Sequence, residues 1–319
     1  MRGAAITGWG MDLPPTVVTN DDLATGLDTS DAWISDRTGI RQRRLVARGG
    51  PAPSGMVDTT AELAVRAGRR ALECAGLAPA DVDLLVLATS TPDQALPATS
   101  AVVQHRLGLR CGAFDMNAVC SGFVYAMVVA NGLVATGLDR VLVVGAETLS
   151  RIIDWEDRGT AILFADGAGA VVLEAVPGEN QLLGWDLGAD GSGRHILYAD
   201  VGGFVKMDGK EVFRRAVRVT VESSLAAMER AKVGPEDIAL FVPHQANIRI
   251  IDAVLARLGL DMEHTAVTID RTGNTSAASI PMALAEAADA GRLADGDLVL
   301  VSGFGAGMTW ASAVWRWGR

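Results

Sequence analysis

The chain has 319 residues, enough to bury a large core and to form two domains or one large duplicated one. Hydrophobic residues make up 49% and prolines number only 11, which excludes extensive disorder; a net charge of −10 gives no general affinity for nucleic acid, though a local basic patch can still serve an acidic partner. Three cysteines (Cys74, Cys111, Cys120), an odd number with no CxxC pair, fit neither a disulfide framework nor a zinc site and leave thiol chemistry or packing.

The start, Met1 to Asp12, holds too short and glycine-broken an apolar segment for a signal peptide, and cytoplasm is the expected compartment. Ala4 to Gly8 reads as a short strand, and Asn20-Asp21-Asp22-Leu23 can cap a helix start. Thr29 to Arg41, polar but holding Trp33 and two arginines, is a surface helix with a packed tryptophan or a binding edge. Gly49 to Gly55 is a loop by its turn chemistry, a helix is expected from about Thr59 to Ala75, and Val82 to Thr89 is a buried strand. Phe114 to Met127 places Cys120 on a tight turn between a strand and a helix. The helix N-terminus then points at the sulfur and favours thiolate, unless Cys120 is simply one more small buried hydrophobe. Gly122 to Leu138, interrupted by Asn131, reads as a buried helix rather than a membrane span.

The second half repeats this plan. Ala71 to Val86 resembles Ala227 to Val242, with Pro79 matching Pro235 at an offset of 156. The turn at Cys120 pairs with that at Asn274 at an offset of 154, and Arg140 to Gly145 pairs with Asp297 to Ser302 at 157. These offsets imply a duplicated α/β unit of about 155 residues, longer than solenoid periods. The halves are 1–176 and 177–319, meeting near Pro177-Gly178-Glu179-Asn180. Strands alternating with helices favour sheets covered by helices on both faces. Equivalent strand ends then meet near a pseudo-twofold axis, where Cys120 and the Asn274 loop can share one site. Of four histidines, His244 is the candidate, because Val242-Pro243-His244-Gln245 ends a strand just before a helix, where α/β sheets meet ligands. A structural histidine at 244 and a simple Gly273-Asn274 turn remain the alternatives.

Three motifs carry a resemblance: Asn117-Ala118-Val119-Cys120-Ser121-Gly122-Phe123, Val242 to Ile251, and Gly273-Asn274-Thr275-Ser276-Ala277-Ala278-Ser279-Ile280-Pro281. Together with Thr29 to Ile40, Asp157-Arg158-Gly159-Thr160, Ala165 to Ala170 and Gly303 to Trp310, they resemble the β-ketoacyl-acyl carrier protein synthase III family over nearly the whole chain. That resemblance implies an α/β thiolase fold, a duplicated α-β-α-β-α layered sandwich, and a homodimer. It implies decarboxylative Claisen condensation of a short acyl-CoA with malonyl-acyl carrier protein (ACP), starting fatty-acid synthesis. Cys120 would take the acyl group, and His244 and Asn274 would hold the thioester carbonyl of malonyl-ACP as carbon dioxide leaves. The acyl oxygen would sit between the Cys120 N–H and that of Ala306. No metal or redox cofactor is implied, coenzyme A entering as the substrate thioester.

Binding residues carry over in the same way. Trp33 and Arg158 would sandwich the adenine, Arg37 would meet the nucleotide phosphates, and Thr29, Gly209, Phe213, Ala246 and Asn247 would line the pantetheine route. Arg214, Arg249 and Arg257 would form a basic patch for the acidic carrier, although a solvated arginine face explains the same residues. Val119 and Ala306 depart from the family's usual alanine and glycine. Leu96 falls where an aromatic from the neighbouring subunit often closes the acyl pocket, which puts primer length in question. A secondary-metabolism paralogue loading an unusual primer is the rival within the fold. A degradative thiolase lacks support because no cysteine follows Cys120. A Cys-His-Asn hydrolase does not fit the duplicated plan, and a non-enzymatic partner subunit would have lost the nucleophile.

Overall fold

The computed structural model describes residues 2–46, 59–178 and 180–318, so the loop expected at Gly49 to Gly55 lies outside the described residues. The chain opens with β1 (Gly3–Asp12), β2 (Thr16–Thr19), α1 (Asn20–Ala24), α2 (Asp31–Thr38) and β3 (Gln42–Leu45). Helix α1 is capped by Thr19 rather than Asn20: the Thr19 hydroxyl accepts the Asp22 N–H, and the Asp22 carboxylate accepts the Thr19 N–H in return. Asn20 instead turns inward and donates to the Ile40 carbonyl at 2.7 Å.

Next come α3 (Thr60–Ala75), β4 (Leu84–Ala88), α4 (Thr99–Leu107), β5 (Gly112–Met116), α5 (Gly122–Ala135), β6 (Arg140–Thr148), α6 (Arg158–Ala161) and β7 (Asp166–Val176). The second half runs β8 (Leu182–Ala189), β9 (Leu197–Tyr198), β10 (Lys206–Met207), α7 (Gly209–Ala231), β11 (Ile238–Pro243) and α8 (Ile248–Leu258). It closes with α9 (Ile269–Thr272), α10 (Ser279–Asp289), β12 (Leu298–Gly305) and β13 (Thr309–Arg316).

Duplication is visible in the strand pairing. One sheet runs β1-β7-β6-β4-β5 and the other β8-β13-β12-β11. In each, the two strands preceded by long helices are parallel (β4 with β6, β11 with β12) and the next two pairings are antiparallel. The β5 position has shrunk in the second half to a single parallel bridge between Phe241 and Thr265.

Helices α5 and α10 lie between the sheets and touch strands of both, α3 covers the outer face of the first sheet, and α7 covers that of the second. The central position explains α5. Its sequence, GFVYAMVVANGLVA, has no polar stripe, which suits a helix packed on two sides. Phe123 and Met127 are fully buried there, and cutting such a side chain to alanine costs about 2–5 kcal/mol. These layers form the thiolase fold, an α-β-α-β-α sandwich. Among the described residues no helix is long and apolar enough to cross a membrane, and no group of three or more His, Cys, Asp or Glu is placed to hold a metal ion.

Candidate active site

Strand β5 leads into a turn whose shape fixes the thiol. The Asn117 side-chain oxygen accepts the Val119 N–H at 3.2 Å, and Val119 adopts φ 50°, a conformation a β-branched residue seldom takes. A single 3₁₀ turn, Val119–Ser121, then carries Cys120 to the head of α5. Strand β12 makes room for it: a side chain at Gly305 would stand 2.8 Å from the Cys120 nitrogen, and one at Gly303 3.2 Å from its carbonyl oxygen. The Ser121 hydroxyl, donating to the Ala118 carbonyl at 2.8 Å, pins the turn.

The second half builds the same turn. The Asn274 side-chain oxygen accepts the Ser276 N–H at 2.9 Å, and Ser276 has φ 48°. The structural counterpart of Asn274 is therefore Asn117, and that of Cys120 is Ala277, not Asn274 itself. The offset of 157, found for the Arg140 and Asp297 strands, is the right one here, because the positive φ rather than the functional residue marks the equivalent place.

Cys120, His244 and Asn274 are 5%, 3% and 6% exposed and line one narrow cavity of about 120 Å³. His244 follows the end of β11, donates its backbone N–H to Ser302 at 2.8 Å, and has its ring edge-on to Phe304 at 5.4 Å between centroids. Its Nδ1 is 2.7 Å from the Ser279 hydroxyl, which also accepts the Gln245 N–H at 3.3 Å. With Ser279 donating to Nδ1, the ring hydrogen sits on Nε2 and faces the cavity. Burial pushes the His244 pKa down to about 3, so the imidazole is neutral at physiological pH. The Asn274 NH₂ makes no hydrogen bond among the described residues. Two neutral donors therefore face the thiol.

The thiol differs from the sequence expectation. Burial is the largest effect, and together with the nearby Glu147 charge it pushes Cys120 up to about 12 against the pull of Ser276 and its own backbone N–H. Closure of the site outweighs the helix end. At pH 7 such a thiol is ionised to about one part in 10⁵, against a few per cent for a free cysteine. Iodoacetamide alkylation of Cys120 is expected to rise about tenfold per pH unit up to pH 9. A rate that levels off below pH 7, followed by intact mass, would reveal a resting thiolate instead.

Cys120 also borders a second, apolar chamber of about 360 Å³ with walls from Leu149, Ile152, Phe164, Leu197 and Val205. Ala306 lines this chamber. Gly209, Phe213, Ala246 and Asn247 line the narrow cavity, and Gly209 and Phe213 continue into a surface groove with Arg37, Lys206, Lys210 and Arg249. Asn247 caps α8 by accepting the Arg249 N–H at 2.9 Å.

Trp33 lies on α2, half-buried, with the Arg37 guanidinium 4.4 Å and the Arg158 guanidinium 4.7 Å from its ring centre. Arg158 also donates to the Asp28 carbonyl at 2.7 Å, which holds it against the ring. The buried Thr29 hydroxyl has no hydrogen-bond partner among the described residues and does not line these cavities, against the expectation that Thr29 lies on the pantetheine route. The basic patch is weaker than its arginine count implies. Glu211 pairs with Arg214 at 2.6 Å and Arg215 at 2.8 Å, and these arginines hold its carboxyl down to about 2. Arg249 pairs with Asp36 at 2.9 Å, while exposed Arg257 has no ion pair among the described residues. Leu96 is 86% exposed and does not line the chamber of its own chain. Sequence reasoning missed Ser279, which orients His244, and the Lys206 and Lys210 groove. Ser279 stood inside a quoted motif, but only the contact across 35 residues reveals its role.

On a duplicated five-layer sandwich, a thiol set against two hydrogen-bond donors at the shared centre is the architecture of a condensing acyltransferase. Residues 114–191 match the family 3-oxoacyl-[acyl-carrier-protein (ACP)] synthase III, and residues 228–317 match its C-terminal family. A β-ketoacyl-[acyl-carrier-protein] synthase III from Erythrobacter litoralis (strain HTCC2594) is 49% identical over 329 residues, covering 99% of this chain and 100% of the relative. The crystal structure of 3-oxoacyl-[acyl-carrier-protein] synthase III from Aquifex aeolicus VF5 is similar at a TM-score of 0.94 and 43% identity, covering 99% of this chain and 100% of that one. The priming β-ketosynthase from the R1128 polyketide biosynthetic pathway follows at 0.92 and 37%, over 99% and 96%. The chain belongs to the β-ketoacyl-acyl carrier protein synthase III family.

Proposed function

We propose that the protein condenses a short acyl-CoA with malonyl-ACP, releasing carbon dioxide and coenzyme A and giving the β-ketoacyl-ACP that starts fatty-acid synthesis. The observation that carries this is the joint placement of Cys120, His244 and Asn274 on one tunnel continuous with the Arg37 groove. Cys120 takes the acyl group as a thioester. His244 Nε2 and the Asn274 amide then donate to the malonyl thioester oxygen as the enolate forms, and Ala306 with Cys120 supplies backbone donors to the acyl oxygen. Trp33, Arg37, Arg158, Gly209, Phe213, Ala246 and Asn247 form the coenzyme A route, from which Thr29 is left out because it lines neither cavity, and no further cofactor is required. The two halves, 1–176 and 177–319, contribute the nucleophile and the two donors respectively.

The acyl group has the apolar chamber to occupy, which favours primers longer than acetyl. Incubation with acetyl-, butyryl-, isobutyryl- and hexanoyl-CoA should leave thioester adducts on Cys120 by intact mass, with the four-carbon primers reacting at least as fast as acetyl. No adduct with any primer would overturn the function, and strict acetyl preference would overturn the primer assignment alone.

A homodimer fits two features. Strand β5 is the edge of its sheet, with no strand among the described residues on its outer side, and Leu96, in the loop before α4, is 86% exposed. Sedimentation should give about twice the 33.3 kDa chain mass. A monomer at micromolar concentration would refute the pairing. For the acidic carrier the docking charge lies on Lys206, Lys210 and Arg257, with Arg214 and Arg249 available once they leave Glu211 and Asp36.

A further inference from the structure

Among the described residues that line the apolar chamber beside Cys120, Arg194 is the one cation, and there is no aspartate or glutamate. Other arginines around the tunnel are taken. Arg215 pairs with Glu211 at 2.8 Å and Asp190 at 3.6 Å, Arg249 with Asp36 at 2.9 Å, and Arg158 with Asp28 at 3.6 Å. Exposed Arg194 makes no ion pair and no side-chain hydrogen bond among the described residues. A guanidinium set on an apolar wall is a ready partner for a carboxylate that enters with the acyl chain.

The backbone fixes where Arg194 stands. Asp190 and Met308 exchange both of their backbone hydrogen bonds at 2.7 Å, which ties the turn Gly191–Gly193 to the β12–β13 hairpin. That hairpin carries Ala306 and Gly307, which line the same chamber. Within the turn the Asp190 carboxylate accepts the Ser192 N–H at 3.0 Å, and the Gly191 carbonyl accepts the Arg194 N–H at 3.3 Å. Gly193 packs close: a side chain there would begin 3.1 Å from the Arg215 guanidinium and 3.2 Å from Met308 Cγ. The chamber has two unlike ends. Cys120, Leu149 and Ser276 are buried, whereas Arg194, Tyr198 and Ala199 are exposed. An acyl chain that starts on Cys120 Sγ and follows the apolar walls outward therefore ends at the rim where Arg194 stands.

Resting on the condensing reading, we infer that the chamber accepts acyl-CoA primers with a carboxylate at the far end of the chain, and that Arg194 is the specificity-determining residue that pairs with it. The methylenes of such a primer lie along the apolar walls, and its carboxylate meets the guanidinium fork at the rim. Size permits this: at roughly 30 Å³ per non-hydrogen atom, a chamber of about 360 Å³ holds about a dozen, enough for a five-carbon chain ending in a carboxylate. Acylation forms the bond between Cys120 Sγ and the acyl carbon, breaks the acyl–sulfur bond of coenzyme A, and leaves the Sγ proton on the released coenzyme A thiol. The distal carboxylate takes no part in the bond changes, so condensation gives a β-ketoacyl-ACP that ends in a carboxylate. Lys206, 5.7 Å from the Tyr198 ring centre, lines the surface groove rather than the chamber and is the rival cation for the same group.

Glutaryl-CoA against pentanoyl-CoA, primers of equal carbon number, tests this, with acyl-enzyme counted by intact mass over time. Wild type should form both adducts, and the ratio of the glutaryl to the pentanoyl rate should fall by about fivefold or more in Arg194→Gln and further in Arg194→Glu. An unchanged ratio in Arg194→Gln overturns the inference, as does a fall just as large in Lys206→Gln. Pentanoyl adduct without glutaryl adduct in wild type also overturns it and leaves the condensing reading intact. Absence of adduct with every primer, acetyl-CoA included, removes both. If Arg194→Gln fails to fold, a salt series on wild type decides. Coenzyme A is common to the two primers, so raising salt from about 0.05 to about 0.5 M should lower their ratio by about twofold or more through screening of the distal pair, and a ratio indifferent to salt overturns the assignment.

Discussion

Cys120→Ala is expected to lower condensation of acyl-CoA with malonyl-ACP by about 10⁴-fold or more, because the covalent route is lost outright. The same variant should still release carbon dioxide from malonyl-ACP. His244 and Asn274 do not depend on the sulfur for their positions: the ring is held by Ser279, and the Asn274 side chain by the Ser276 N–H. Alanine at 120 removes one small buried side chain from a turn fixed by Asn117, Ser121 and the close approach of β12, so the protein should fold. Radiolabelled malonyl-ACP gives both readouts in one tube: carbon dioxide release without chain elongation supports separate acyl-holding and decarboxylating groups. Loss of both activities in a folded variant would mean that the thiol takes part in decarboxylation.

The fold was legible because duplication leaves countable traces. The two Pro-initiated 3₁₀ turns, Pro79–Asp81 and Pro235–Asp237, lead into β4 and β11, and their shared Pro and Asp made the offset readable. What the residue types did not carry was backbone conformation. Val119 and Ser276 mark the matching turns by positive φ, which valine and serine rarely signal, so Cys120 was aligned with Asn274 when its counterpart is Ala277. A similar gap separates dipole from burial at Cys120. A helix start can be read from sequence, but the enclosure that raises the thiol comes from β12 and the Asn274 turn more than 150 residues away. Charges behave alike. Glu211 lies three and four residues from Arg214 and Arg215 and could have been paired with them by helix spacing alone; Asp36 and Arg249 meet only in three dimensions.

His244→Ala and Asn274→Ala should each reduce decarboxylation of malonyl-ACP by about 10²–10³-fold, the loss expected when one preorganised donor to a developing oxyanion is removed. The double variant should fall short of the product of the two, since both serve one oxygen. Acylation of Cys120, read by intact mass, should persist in both. The pH dependence separates a neutral donor from a proton-transferring imidazole. Because the folded His244 pKa is lowered to about 3, the ring is already deprotonated at pH 5 and gains nothing as pH rises to 8. The decarboxylation rate should then show no inflection from His244 across that interval. An inflection near pH 6.5 that disappears in His244→Ala would mean that the ring titrates in the working enzyme, and would replace hydrogen-bond donation by acid–base chemistry at this residue.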